Sequence, residues 1–98
     1  MSDTDWPFDQ AANVAAVSNA GVLDRKSPIL FVVHYSDDDS WAFLDGGPFA
    51  VAEGRVIGMG TALKIDPSLR EIADLLPGWT ARRSHVGGPW VRDKDDEV

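Results

Sequence analysis

The sequence predicts an α+β fold: a small, mostly antiparallel sheet of about five or six strands, with one or two short helices packed on one face. Three observations carry this. The apolar runs are short and end in turn chemistry, as at Asp45-Gly46-Gly47-Pro48, which is how strands joined by tight connections are written. Residues 66–76 combine a helical apolar spacing with a cap and a stop. The chain has 98 residues and no cysteine, enough for one small domain without a disulfide frame. The expected division is a flexible acidic lead-in over 1–9, a single α+β domain over 10–92 and an acidic tail over 93–98.

Each element follows in order. "NVAAVSNAGVL" opens on small and β-branched residues, predicting a strand near Asn13–Ser18 and a turn or brief helical turn after it. Pro28 restricts Ser27 to extended or turn geometry. Ile29–Val33 is an unbroken, β-branched apolar run, the signature of a strand buried on both faces. In "SWAFLDGGP", two-residue alternation sends Trp41, Phe43 and Asp45 one way and Ala42 and Leu44 the other. "RVIGMGTALKI" holds two glycines, each costing a helix about 1 kcal/mol, so a strand at Arg55–Gly58 and a short helix at Thr61–Lys64 are expected. In "DPSLREIADLLPG", Asp66 caps, Pro67 takes the first helical position and Pro77-Gly78 stops the helix. Leu69, Ile72, Ala73 and Leu76 then form its apolar face. "WTARRS" and "PWVR" close the chain as a hairpin across "HVGG", with Trp79 and Trp90 as cross-strand neighbours.

Composition excludes several functions. Without cysteine there are no disulfides, thiol nucleophiles or cysteine-ligated metals. No apolar run reaches the length of a membrane span, and the acidic start "MSDTDWPFDQ" lacks the basic and apolar stretches of a signal peptide. A cytoplasmic location is expected. The net charge is -7, most of it in the two ends: Asp3, Asp5 and Asp9 at one, Asp93, Asp95, Asp96 and Glu97 against Lys94 at the other. No basic face is evident, so nucleic acid is not an expected partner.

The densest cluster of chemistry is "HYSDDDSWAF", residues 34–43. As an EF-hand it fails: with Asp37 first, the sixth position is Ala42 and the twelfth Pro48, where glycine and glutamate are needed. Asp37, Asp38 and Asp39 read instead as a solvated hairpin tip. His34 reads as a satisfied strand residue and His85 as an exposed turn residue; their spacing marks no metal site. "DGGP" and "GMG" match neither phosphate-loop nor dinucleotide fingerprints, although the glycines of "GMGTAL" lead into a helix whose N–H groups could cradle an anion. No serine sits in a nucleophile elbow, and no spacing marks a carboxylate pair. No cofactor or catalytic residue is assigned. Candidate partner contacts are Asp37, Asp38, Asp39, Trp41, Arg82, Arg83 and Trp90, because hairpin ends carry contacts and Trp and Arg dominate interface hot spots.

The ordered features "AAVSNAGVL", "SPILFVVH", an acidic turn, "WAFLDG", "LKIDPSLREIADLLPGWTARR" and "GGPW" resemble the bacterial immunity-protein-33-like domain, a domain of unknown function. The resemblance spans about Val14 to Trp90. It is most specific over Ile65–Arg82, with Trp41–Gly46 as a second anchor. It implies association with toxin–immunity systems, in which an immunity protein binds and blocks a toxin, and it carries no catalytic residues. The leading expectation is therefore a non-enzymatic protein-binding module whose partner is a toxin or another basic protein. A small-ligand or divalent-metal domain using His34, the aspartates and the glycine loops comes second. An enzyme working through acidic residues comes last.

Overall fold

A computed structural model describes residues 6–24, 27–47 and 54–98. Six strands, β1 (Ala15–Asn19), β2 (Phe31–His34), β3 (Trp41–Leu44), β4 (Gly54–Gly58), β5 (Trp79–Arg82) and β6 (Val91–Lys94), form one sheet in the order β4-β1-β3-β2-β5-β6. The helices are α1 (Ala20–Leu23), α2 (Met59–Ile65) and a 3-10 helix (Pro67–Ile72). The α+β fold is as predicted. The sheet is mixed: β1 runs parallel to β3, and every other pairing is antiparallel. Among the described residues, no helix is long and apolar enough to cross a membrane.

Register and alternation sort the strand residues onto two faces. Ile57 pairs with Ala16, and Val32 pairs with both Phe43 and Ala81. These residues, with Trp41, belong to a core that also takes Val22 of α1, Met59, Ala62 and Leu63 of α2, and Leu69 and Ile72 of the 3-10 helix. The opposite face carries the register row Val56, Val17, Ala42, Val33 and Thr80. Ser18 is buried on the core side, where its hydroxyl donates to the Phe43 carbonyl at 2.7 Å. Asn19 ends β1 and caps α1, its Oδ1 accepting from the Val22 N–H. Past β3, Gly46 takes the left-handed backbone (φ +84°) and Gly47 N–H bonds to Asp45 Oδ1. The expected turn is formed this far, and Pro48 lies outside the described residues.

Three expectations are corrected. The helix predicted over residues 66–76 is a 3-10 helix followed by turns. Its bonds run i+3 to i: Leu69 N–H to Asp66 O, Ala73 N–H to Arg70 O and Leu75 N–H to Ile72 O. At three residues per turn the inward row is Leu69, Ile72, Leu75. Leu76, expected inside, is 60% exposed, and Leu75 is buried in its place. Trp79 and Trp90 are not cross-strand neighbours: Trp79 pairs with Lys94, while Trp90 precedes β6 at the other end of the hairpin.

The third correction concerns the ends. Residues 1–5 lie outside the described residues, but Trp6–Gln10 is docked rather than a loose lead-in. Phe8 is buried and meets Trp41 and Phe43 edge-on, with ring centroids 5.1 and 6.1 Å away. The tail is tied down as well. β6 runs through Lys94, beyond the expected boundary at 92. Asp95 N–H then bonds to Gly78 O, and Ser36 Oγ donates to Val98 O.

Candidate functional site

The β2–β3 hairpin brings the triple aspartate and His34 together. Pairing ends at His34 opposite Trp41, and the six residues between them close the turn. Tyr35 N–H bonds to Ser40 O, and Ser40 N–H bonds to Asp38 Oδ1. Hydrogen bonds from Ser40, the side chain first and then the backbone, hold the Asp38 carboxyl below its ordinary value. Asp39 takes φ +60°, a conformation that short polar residues tolerate best. Gln10 Nε2 donates to the Asp39 carbonyl from the docked N-terminal segment. The loop is therefore a folded turn that leaves all three aspartates exposed.

Behind the loop lies a cleft of about 220 Å³. Asp9, Asp39 and Asp74 supply carboxylates to its lining, and Trp41, Leu75, Leu76 and Pro77 supply apolar wall. His34 lines it from β2 and is only 6% exposed. Its ring stacks on Trp41 at 4.1 Å and 16°. Nδ1 lies 2.7 Å from the Leu75 carbonyl oxygen. A carbonyl only accepts, so Nδ1 holds a proton, and in the neutral form of the ring Nε2 is the nitrogen with the lone pair. Nε2 makes no hydrogen bond and sits 3.5 Å from Asp39 Oδ1. The expectation of a satisfied strand histidine thus holds for one ring nitrogen only.

Several other groups near the cleft are engaged. Trp41 Nε1 donates to Gln10 Oε1, and Trp6 Nε1 donates to Gln10 O. Arg92 donates to Asp74 Oδ1 at 2.7 Å and to Glu71 O. That Arg92 hydrogen bond holds the Asp74 carboxyl below its ordinary value. Among the described residues, no group of three or more His, Asp or Glu side chains is placed to hold a metal ion. His85 is exposed in the β5–β6 connection, where its Nδ1 lies 2.8 Å from Ser84 Oγ. Two of the "GMGTAL" amides are taken by the chain itself: Met59 N–H bonds to Val14 O and Gly60 N–H to Ala12 O.

The candidate contact residues separate. Asp37, Asp38, Asp39 and Arg82 are exposed, and Trp90 is half-buried. Arg82 lays its guanidinium over the Phe31 ring, 4.4 Å from the centroid. Trp41 is 1% exposed and Arg83 is 4% exposed; neither presents a surface to a partner. Trp41 is core because the alternation that turns Phe43 inward also turns Trp41 inward. Arg83 is core because every part of its fork is used. Nε and Nη2 donate to Ile29 O, Nη1 donates to Ser68 Oγ, and Nη2 pairs with Asp66 Oδ2. Trp90 covers its face at 4.3 Å. Sequence reasoning missed Asp9, Gln10 and Asp74, which are distant in the chain and carry no local signal of convergence.

No family model, curated protein or solved structure matches this chain.

Proposed function

We propose that this chain is a non-enzymatic protein-binding module that presents an acidic, prefolded surface to a basic protein partner. The observation that carries this is the β2–β3 loop, which holds three exposed aspartates in a turn fixed from Tyr35, Ser40 and Gln10. A loop already folded loses little freedom on binding, and a patch of one charge speeds encounter with its opposite. The likeness of "WAFLDG" and "IDPSLREIADLLPGWTAR" to the immunity-protein-33-like domain supports a bacterial immunity protein that blocks a basic toxin in the cytoplasm. The test is co-expression with the protein encoded in the adjoining gene. A stoichiometric complex is expected. Its association rate should fall about tenfold in Asp37→Lys/Asp38→Lys and fall again with added salt. An association rate indifferent to both changes removes the loop from the contact surface, and a small molecule consumed by the purified chain replaces the module with an enzyme. A second reading, a small-ligand domain, is favoured by one observation, the acid-lined cleft over His34.

A further inference from the structure

We infer that the cleft behind the β2–β3 loop is a binding site for a single organic cation, an alkylammonium or alkylguanidinium group, with His34 Nε2 as the acceptor at its base. This goes beyond the partner surface and does not require it. His34 is more than nine-tenths buried, and its Nδ1 proton is committed to the Leu75 carbonyl. In the neutral ring Nε2 therefore offers a lone pair, and it makes no hydrogen bond within the chain. The atom facing it, Asp39 Oδ1 at 3.5 Å, is an acceptor as well when the ring is neutral. Two acceptors at that spacing repel unless a donor serves both, and one ammonium or guanidinium head can do so. The Asp39 side chain is 66% exposed.

The rest of the lining narrows the ligand. Asp9, Asp39 and Asp74 bring negative charge from three different segments, so an anion is repelled. Arg92 already offsets Asp74, which leaves Asp9 and Asp39 as the unneutralised charges. Nε2 of the neutral ring and Asp39 Oδ1 both accept, so a group that bridges them must carry its own hydrogens. Leu76, exposed although apolar, stands with Pro77 along the cleft and suits an aliphatic stem. The cleft is smaller than the roughly 300–1,000 Å³ of pockets that hold drug-sized molecules, which fits a ligand the size of one lysine or arginine side chain. The cation comes either from a partner's side chain or from a free small amine.

The test is a titration of the full chain, labelled with ¹⁵N-histidine and ¹⁵N-tryptophan, in alkaline buffer. The probes are n-butylammonium and agmatine; n-butanol and sodium chloride are the controls. The expected result is a saturable shift of the His34 Nε2 and Trp41 indole resonances with the two cations alone, with the proton staying on Nδ1. Asp39→Asn and Asp9→Asn should each weaken binding roughly tenfold, the usual scale for losing a charge-assisted hydrogen bond. Asparagine accepts the left-handed backbone at position 39, so that variant keeps the turn. Asp37→Asn, outside the cleft, should leave binding unchanged. A serine–glycine peptide with one arginine that binds tighter than agmatine assigns the site to a partner's side chain; the reverse order assigns it to a free amine. The proposal is overturned by no saturation up to about 100 mM cation, by an equal response to sodium chloride, or by equal losses in Asp37→Asn and Asp39→Asn. No partner protein enters this titration, so its failure and that of the toxin-binding reading are separate results.

Discussion

Two neighbouring arginines have opposite fates, and the difference is measurable. Arg82 points outward over Phe31, while Arg83 turns into the core to join Ile29, Ser68, Asp66 and Trp90. Removing one partner of a buried ion pair strands the other, which costs about 3–5 kcal/mol. Arg83→Ala should therefore lose about that much in urea unfolding. Arg83→Lys should recover little of it, because an ammonium cannot reproduce a fork that is both multidentate and stacked. Arg82→Ala should lose less than about 1 kcal/mol, the scale of an exposed cation–π contact. Arg92 and Asp74 form an exposed pair whose contribution solvent screening also holds below about 1 kcal/mol. The folded Asp74 carboxyl titrates below its ordinary 3.8. Its contribution is thus present above that value and disappears as the pH falls through the folded one. Wild type and Arg92→Ala should differ slightly in stability at pH 7 and converge in strong acid. Convergence already near neutrality would deny the pair any role.

The 3-10 helix shows what a sequence pattern can and cannot specify. Leu69 and Ile72 satisfy a period of 3.6 and a period of 3.0 alike, so both elements read the same for one turn. The periods part at the next position, where the first selects Leu76 and the second Leu75. Leu75→Ala and Leu69→Ala should each cost about 2–5 kcal/mol by emptying a buried site, while Leu76→Ala should stay within about 0.5 kcal/mol of wild type. Equal losses at 75 and 76 would mean an α-helical face after all. The cap was legible: Asp66 accepts from Ser68 N–H. Its second duty, pairing with Arg83 seventeen residues on, was not. Asp66→Ala should therefore exceed the roughly 1 kcal/mol of a lost cap, whereas Asp66→Asn keeps the cap and loses only the charge. The strands of "PILFVVH" and "WAFL" were readable because alternation and bounding turns are local. The parallel β1–β3 pairing was not, since it depends on which strand the chain returns beside. The cleft was invisible for the same reason: Asp9, His34, Asp39 and Asp74 meet only through the docking of a segment whose acids suggested a solvated lead-in.

Across the whole molecule, charge is gathered rather than spread. Ser36 holds Val98 beside the aspartate loop, and Gln10 holds the Asp9 segment against the same loop. The exposed carboxylates of Asp9, Asp37, Asp38 and Asp39 thus share one end with the acidic tail, and the chain as a whole carries -7. Arg92 is the cation paired at that end's cleft, and it is committed to Asp74. Clustered like charges keep a chain dispersed but strain its folded state through self-repulsion. The range of that repulsion shrinks from about 30 Å at 0.01 M salt to about 8 Å at 0.15 M. Sodium chloride should therefore raise the thermal midpoint over this interval, the reverse of what a chain held by surface ion pairs would do. Asp37→Asn/Asp38→Asn should start from a higher midpoint at low salt and respond less to added salt, because part of the repulsion is already gone. A basic partner would relieve the same repulsion, and anything that binds only the folded state raises its stability further. The measurement is a melting series at both salt concentrations for the two proteins. A wild-type midpoint that falls as salt is added would mean that attractive pairs outweigh the repulsion, and the loop would then lose its standing as an unneutralised docking surface.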